Sequence, residues 1–104
     1  MDQNAEQLER IRDMSNSLEM GASLLDSLEE MLNLYEQSQP MFGKLSAYYE
    51  SAEWKQDHAD DEGGRLPAEL ERGALSEDGI DHLLDKNREM AARMKEIADK
   101  LQKT

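Results

Sequence analysis

Apolar residues in the first third of the chain recur every seven positions in two interleaved series. One series is Ile11, Leu18, Leu25 and Leu32, and the other is Met14, Gly21, Leu28 and Tyr35. A repeat of this kind places both series along one stripe of an α-helix, the seam of a heptad pattern. It predicts a single long helix over residues 4–38, with most acidic residues on the opposite, solvated side.

Pro40 is predicted to end this first helix, because its ring fixes the backbone and removes a hydrogen-bond donor. Proline is favoured in the first turn of a helix, so a second helix is expected over residues 40–50. Phe42, Leu45 and Tyr49 follow the i, i+3, i+7 spacing of one helical face.

The chain becomes polar and acidic between residues 54 and 64, which predicts a loop or a short helix that decays into one. Gly63 and Gly64 can adopt backbone angles that other residues avoid. A short helix is predicted over residues 67–72, with Gly73 ending it in the left-handed region.

The last helix has well-defined start signals. Ser76 can accept hydrogen bonds from the first amides, and Leu75 and Ile80 have the spacing of a hydrophobic staple. An apolar stripe that begins at Ile80 continues through Leu101. The pattern predicts a helix over residues 77–102.

The composition identifies the fold class as all-α. Valine is absent, threonine occurs once and isoleucine three times, so residues suited to strands are scarce. Residues 1–39 carry nine acids and two bases, a charge of −7, whereas residues 86–104 carry six bases and three acids, a charge of +3. Opposite charges favour a long antiparallel hairpin of the first and last helices, with one or two short helices inserted between them. We expect residues 1–104 to form a single helical domain.

The net charge of −12 argues against binding nucleic acid or an anionic membrane, and favours a neutral or basic protein partner. Cysteine is absent, which excludes disulfides and thiolate chemistry. No apolar run exceeds three residues, so neither a signal peptide nor a membrane-spanning helix is predicted. We therefore expect a cytoplasmic protein.

One acidic cluster is a candidate for metal binding, and it consists of Asp57, His58, Asp60 and Asp61 with the adjoining Glu62. Its spacing does not match a calcium-binding EF-hand, because glycine is absent from the sixth position of the loop. A solvated acidic segment is the better interpretation, so no metal site is predicted. The sequence also shows no nucleophile motif or phosphate-binding loop, so neither an enzyme activity nor a cofactor is expected.

Four aromatic residues form the most distinctive group of the chain, and they are Phe42, Tyr48, Tyr49 and Trp54. Such residues anchor protein interfaces, but they also fill the core of a small helical domain. We favour the core interpretation and leave the interface as the alternative.

The middle of the chain resembles a known family. The similarity rests on Leu45-x-x-Tyr48-Tyr49-x-Ser51-x-x-Trp54, on Leu66-Pro67-x-x-Leu70-x-x-Gly73-x-Leu75-Ser76-Glu77-Asp78 and on the pair Leu83-Leu84. These runs resemble a group of short bacterial proteins called domain of unknown function 4298. Ala74 and Gly79 depart from the expected pattern. The resemblance implies a bacterial, cytoplasmic protein without an assigned activity.

Three functions are compatible with these features. The favoured one is a small acidic protein that acts through protein–protein interaction as a homodimer, because its apolar stripes exceed what one hairpin can cover. An alternative is an acidic neutraliser or nucleic-acid mimic that binds a basic protein. The third is a secreted helical hairpin of the WXG type, although Trp54-Lys55-Gln56 lacks the glycine of that motif.

Overall fold

The computed structural model describes residues 2–103, and side chains within residues 4–103. The elements, in chain order, are α1 (Asp2–Tyr49), α2 (Ala52–Glu62), a 3₁₀ helix (Gly73–Leu75) and α3 (Gly79–Gln102). No strand occurs in this described part of the chain. The predicted all-α class is therefore confirmed. Antiparallel pairing of the two long helices stays a prediction.

Contacts within the chain divide it into two compact units, one up to Gln39 and one from Pro40 onward. The first unit is the amino-terminal part of α1. Its apolar seam faces solvent, since Leu18 is 74% exposed and Leu25 is 63% exposed. Every described side chain before Gly21 is exposed. The single-domain interpretation of residues 1–104 stays a prediction.

Pro40 lies inside α1, so the predicted helices over residues 4–38 and 40–50 are one continuous helix. Proline cannot donate the helical hydrogen bond, but its fixed φ is compatible with helix geometry. The hydroxyl of Ser38 donates a hydrogen bond to the Leu34 carbonyl across 2.7 Å, within the helical turn that precedes the proline. The prediction that Pro40 ends the helix was wrong.

Helix α2 occupies the stretch for which a loop or a decaying short helix was predicted. Ser51 caps it: its backbone is extended, and its hydroxyl oxygen accepts a hydrogen bond from the Trp54 amide. The helix ends at Gly63, and Gly64 follows with φ of +70°, as expected from its freedom in the left-handed region.

The helix predicted over residues 67–72 is absent, and a single turn stands in its place. The Pro67 carbonyl accepts the Leu70 amide at 3.2 Å and the Arg72 guanidinium at 2.6 Å. That side-chain donor uses an acceptor that a continuing helix would need. Gly73 begins the 3₁₀ helix, and it lacks the positive φ that the sequence analysis assigned to it.

The start of α3 forms the small core of the second unit. Helix α3 begins at Gly79, two residues later than predicted, and Asp78 occupies its N-cap position without a side-chain cap. The hydroxyl oxygen of Ser76 accepts a hydrogen bond from the Gly79 amide at 2.8 Å, so it satisfies the first amide of the helix. Leu75 and Ile80, the two members of the predicted staple, are the buried residues of the described chain, at 7% and 3% exposure. The apolar staple therefore fixes where α3 begins.

Candidate functional site

The second unit contains a polar and aromatic cluster that links the end of α1, one face of α2 and residues 74–77. We call this group the aromatic–histidine cluster; it comprises Tyr48, Tyr49, Trp54, Asp57, His58, Glu62 and Glu77. Trp54, His58 and Glu62 follow one another at intervals of four residues, so α2 presents them on one face.

Three aromatic rings contact one another at the centre of the cluster, and Trp54 is the middle one. The Trp54 indole lies parallel to the His58 imidazole, with centroids 4.8 Å apart and an interplanar angle of 7°. Tyr49 meets the same indole edge-on, with centroids 4.9 Å apart and an angle of 71°. Trp54 is thus held between one ring from α1 and one from α2.

Three side chains of the cluster donate hydrogen bonds to carbonyl groups just before α3. The Trp54 indole donates to Ala74 at 2.8 Å, and the Tyr49 hydroxyl donates to the Glu77 carbonyl at 2.9 Å. His58 Nδ1 lies 2.8 Å from the Leu75 carbonyl oxygen, and because a carbonyl only accepts, Nδ1 carries the hydrogen. These bonds attach residues 74–77 to the preceding helices.

The other imidazole nitrogen of His58 faces two carboxylates. Nε2 lies 3.2 Å from Glu62 Oε1 and 3.4 Å from Glu77 Oε1. The hydrogen bond to the Leu75 carbonyl raises the pKa of His58, and the negative charges of Glu62 and Glu77 raise it further. The imidazole is mostly enclosed, with 19% of the side chain exposed, whereas both carboxylates extend into solvent.

Tyr48 bonds to α2 at a second point, since its hydroxyl donates to Asp57 Oδ2 across 2.6 Å. This hydrogen bond, followed by partial burial, raises the pKa of Tyr48 to about 12. The carboxylate favours the protonated phenol because a phenolate would lose the donor and repel Asp57.

The acidic residues proposed from the sequence as a metal cluster do not converge on one point. Asp57 accepts from Tyr48, Asp60 accepts from Arg65 at 3.1 Å, and Asp61 pairs with Arg72. Protein donors therefore bind these three carboxylates.

Three of the four aromatic residues singled out from the sequence belong to the cluster: Tyr48, Tyr49 and Trp54. Phe42 lies half-buried on α1, outside its hydrogen bonds and ring contacts. Glu77 was not predicted as a partner of His58. The four-residue spacing from His58 to Glu62 would have predicted their contact if α2 had been predicted as a helix.

None of the helices in the described part of the chain combines the length and apolar character needed to cross a membrane.

Comparison with known proteins gives one family. The model of a family described as "Domain of unknown function (DUF4298)" matches residues 11–97, a longer stretch than the resemblance first indicated. No curated protein matches the chain, and no solved structure does. Bacterial origin and cytoplasmic location stay predictions.

Proposed function

The chain belongs to the DUF4298 family, and we propose that it is an acidic interaction protein that forms a homodimer through the apolar seam of α1. The observation that carries this proposal is the exposure of the seam. Its large apolar members between Ile11 and Leu32 are all more than 40% exposed. A partner that covered this stripe would stabilise the complex by about 25 cal/mol for each Å² of apolar surface removed from water.

A second copy of the chain is the partner that the pattern favours. Heptad seams pair with seams of the same period, because the side chains of one helix fit between those of the other. A seam with four successive repeats, from Ile11 to Tyr35, provides this period in every copy.

The charge pattern also tolerates two acidic copies. Six acids of α1 lie on the side opposite the seam, and they are Glu6, Glu9, Asp13, Glu19, Asp26 and Glu30. The positions that flank the seam include Leu24 and Met31, which are apolar and exposed. Paired seams would therefore bury Leu24 and Met31 together with the seam and leave the six outer carboxylates in solvent, although Glu29 and Glu36 also flank the seam.

The proposal is one of binding and not of catalysis. Ser51 and Ser76, two serines close to the aromatic–histidine cluster in sequence, accept hydrogen bonds from the backbone amides of Trp54 and Gly79. A nucleophilic serine would instead need its hydroxyl oriented by a neighbouring base.

A basic protein is the second candidate partner, in keeping with the net charge of −12. The acids on the outer side of α1 are exposed and form an extended negative surface. Binding of this kind would weaken steeply with added salt, whereas a seam of apolar residues would not.

The proposal is tested by measuring the molar mass of the protein in solution, by light scattering and sedimentation equilibrium, at micromolar protein concentrations. The wild type should weigh twice the 11.9 kDa chain. Leu18→Glu places a charge in the seam and should give monomers. Met20→Glu is the matched control, since Met20 is 72% exposed two residues away and outside the seam.

Monomeric wild-type protein throughout this range would overturn the homodimer. Equal dissociation of the two glutamate variants would overturn the assignment of the interface to the seam, because the effect would then come from the added charge alone. Circular dichroism of each variant checks that α1 remains helical.

A further inference from the structure

The contacts of His58 hold its Nε2 atom toward the carboxylates of Glu62 and Glu77. Its Nδ1–H group donates to the Leu75 carbonyl, and its ring plane is fixed by stacking on Trp54. In the neutral imidazole, Nε2 then carries a lone pair. This lone pair points toward the Glu62 and Glu77 carboxylates, an arrangement of three electron-rich groups that favours a cation between them.

The spacing of the three groups fits a small divalent ion. Zinc binds imidazole nitrogen and carboxylate oxygen at about 2.0–2.2 Å, so neighbouring ligands of a tetrahedral site lie about 3.3–3.5 Å apart. Nε2 is 3.2 Å from one carboxylate oxygen and 3.4 Å from the other. All three ligand atoms lie within 4.8 Å of one another, and both glutamates extend into solvent, where their carboxylates can turn toward a shared ion.

We infer that His58, Glu62 and Glu77 form a binding site for a divalent transition-metal ion of the zinc type. The three protein ligands leave a fourth position for water or for a group from a partner. An imidazole nitrogen makes zinc a better occupant than calcium or magnesium, which prefer oxygen ligands.

The surroundings of His58 match those of histidine ligands in metalloproteins. Such a histidine commonly donates its second N–H to a backbone carbonyl or carboxylate, which fixes the tautomer and orients the ring. Here the Leu75 carbonyl has that role.

An ion at this position would connect two separate parts of the second unit. His58 and Glu62 belong to α2, whereas Glu77 precedes α3. Binding should therefore stabilise the closure of the segment between the two helices. This inference does not depend on the proposed dimer, because every ligand comes from one chain.

The test uses the full chain without a histidine tag, titrated with zinc chloride in a calorimeter at slightly alkaline pH. We expect one ion per chain and a saturable change in the emission of Trp54, the only tryptophan, which contacts the ligand ring. Magnesium chloride should give neither signal. Glu62→Gln and Glu77→Gln preserve side-chain size, and each should weaken zinc binding by about tenfold or more.

Two matched controls separate this site from non-specific binding. Glu69→Gln makes the same change of charge at an exposed position of the same unit, and His82→Gln removes the other histidine. Both should bind zinc as the wild type does. The site is refuted if saturable binding is absent, or if Glu77→Gln binds as tightly as Glu69→Gln. Absence of zinc binding with intact folding would identify the three residues as an ion pair of protonated histidine.

Discussion

The Tyr48 hydroxyl and the Asp57 carboxylate are joined by a hydrogen bond of 2.6 Å that connects the last turn of α1 to the middle of α2. A donor this close to a carboxylate makes a stronger bond than one between neutral groups. It therefore fixes the turn between the two helices, in which Ser51 is the capping residue.

This bond predicts a late step in the alkaline titration of the protein. Tyr48 has a pKa of about 12, above its unfolded value of 10.0, so the bond stabilises the fold up to about pH 10. Its contribution is lost as the pH rises through 12. Ultraviolet absorbance of the phenolate should show this step, and Tyr48→Phe should remove it. Identical titrations of the wild type and Tyr48→Phe above pH 10 would contradict the assignment.

A second pH dependence should come from His58 in metal-free protein kept in chelator. Its pKa is raised in the folded state, so its interactions contribute stability below the unfolded pKa. That contribution is lost as the pH rises through the higher folded value. The titration of the His58 imidazole, followed by NMR, should give a pKa above the ordinary histidine value of 6.5. Glu77→Gln should lower the His58 pKa, since it removes one of the facing charges.

Ile80 should be the side chain on which the second unit depends most. It is 3% exposed, and Ile80→Ala should lower the free energy of unfolding by about 2–4 kcal/mol through lost burial and a residual cavity. Met20→Ala, at an exposed position of α1, should change it by less than about 0.5 kcal/mol. Urea unfolding followed by Trp54 emission measures both. Equal losses of unfolding free energy for the two variants would mean that Ile80 does not belong to the core.

Substitution by alanine should lower the stability of the protein at one glycine and raise it at another. A Cβ at Gly79 would lie 2.8 Å from the Gly73 carbonyl oxygen and 2.9 Å from Ser76 Oγ, so Gly79→Ala should cost about 1–3 kcal/mol. No atom lies within 4 Å of a Cβ at Gly43, inside α1. Gly43→Ala should add about 0.5–1 kcal/mol by favouring the helix. Thermal unfolding of both variants, monitored by circular dichroism, checks the two signs.

Gly79 also shows what sequence comparison alone leaves unexplained. Gly79 departs from the expected family pattern, and the pattern alone does not say why a residue without a side chain stands at this position. The structure gives the reason. The Ser76 cap and the Gly73 carbonyl approach so closely that a side chain at this position has no space.

The helical class was predictable because it depends on local preferences and on periodicity. The scarcity of β-branched residues and the heptad series both follow from the residues themselves. The staple of Leu75 and Ile80 was predictable for the same reason, since its partners lie five residues apart.

The continuation of α1 through Pro40 was not predictable from helix propensity, because proline is the residue most strongly disfavoured inside a helix. The side-chain amide of Gln39 donates a hydrogen bond to the Tyr35 carbonyl at 3.1 Å, and the Ser38 hydroxyl donates one to the Leu34 carbonyl. Tyr48 and Tyr49, on the part of α1 that follows Pro40, donate hydrogen bonds to Asp57 and to the Glu77 carbonyl. Hydrogen bonds of this kind depend on residues farther along the chain, which helix propensity does not take into account.

The partnership of His58 with Glu77 was hidden for a related reason. The two residues are separated by a segment whose path is set by individual bonds, among them those of Arg72 to Asp61 and to the Pro67 carbonyl. Charge and spacing in the sequence carry no information about such a path. The Glu62 partner, one helical turn from His58, needed only the helix.

The exposed seam has a consequence for how the order of α1 is controlled. A helix of this kind gains most of its stability from burying its apolar face, and residues 4–20 bury none of theirs within the chain. If a second copy supplies the cover, helix formation and association become one equilibrium governed by mass action. The abundance of the protein in its cell would then determine what fraction of these helices is ordered, so that synthesis and degradation rates act directly on its conformation.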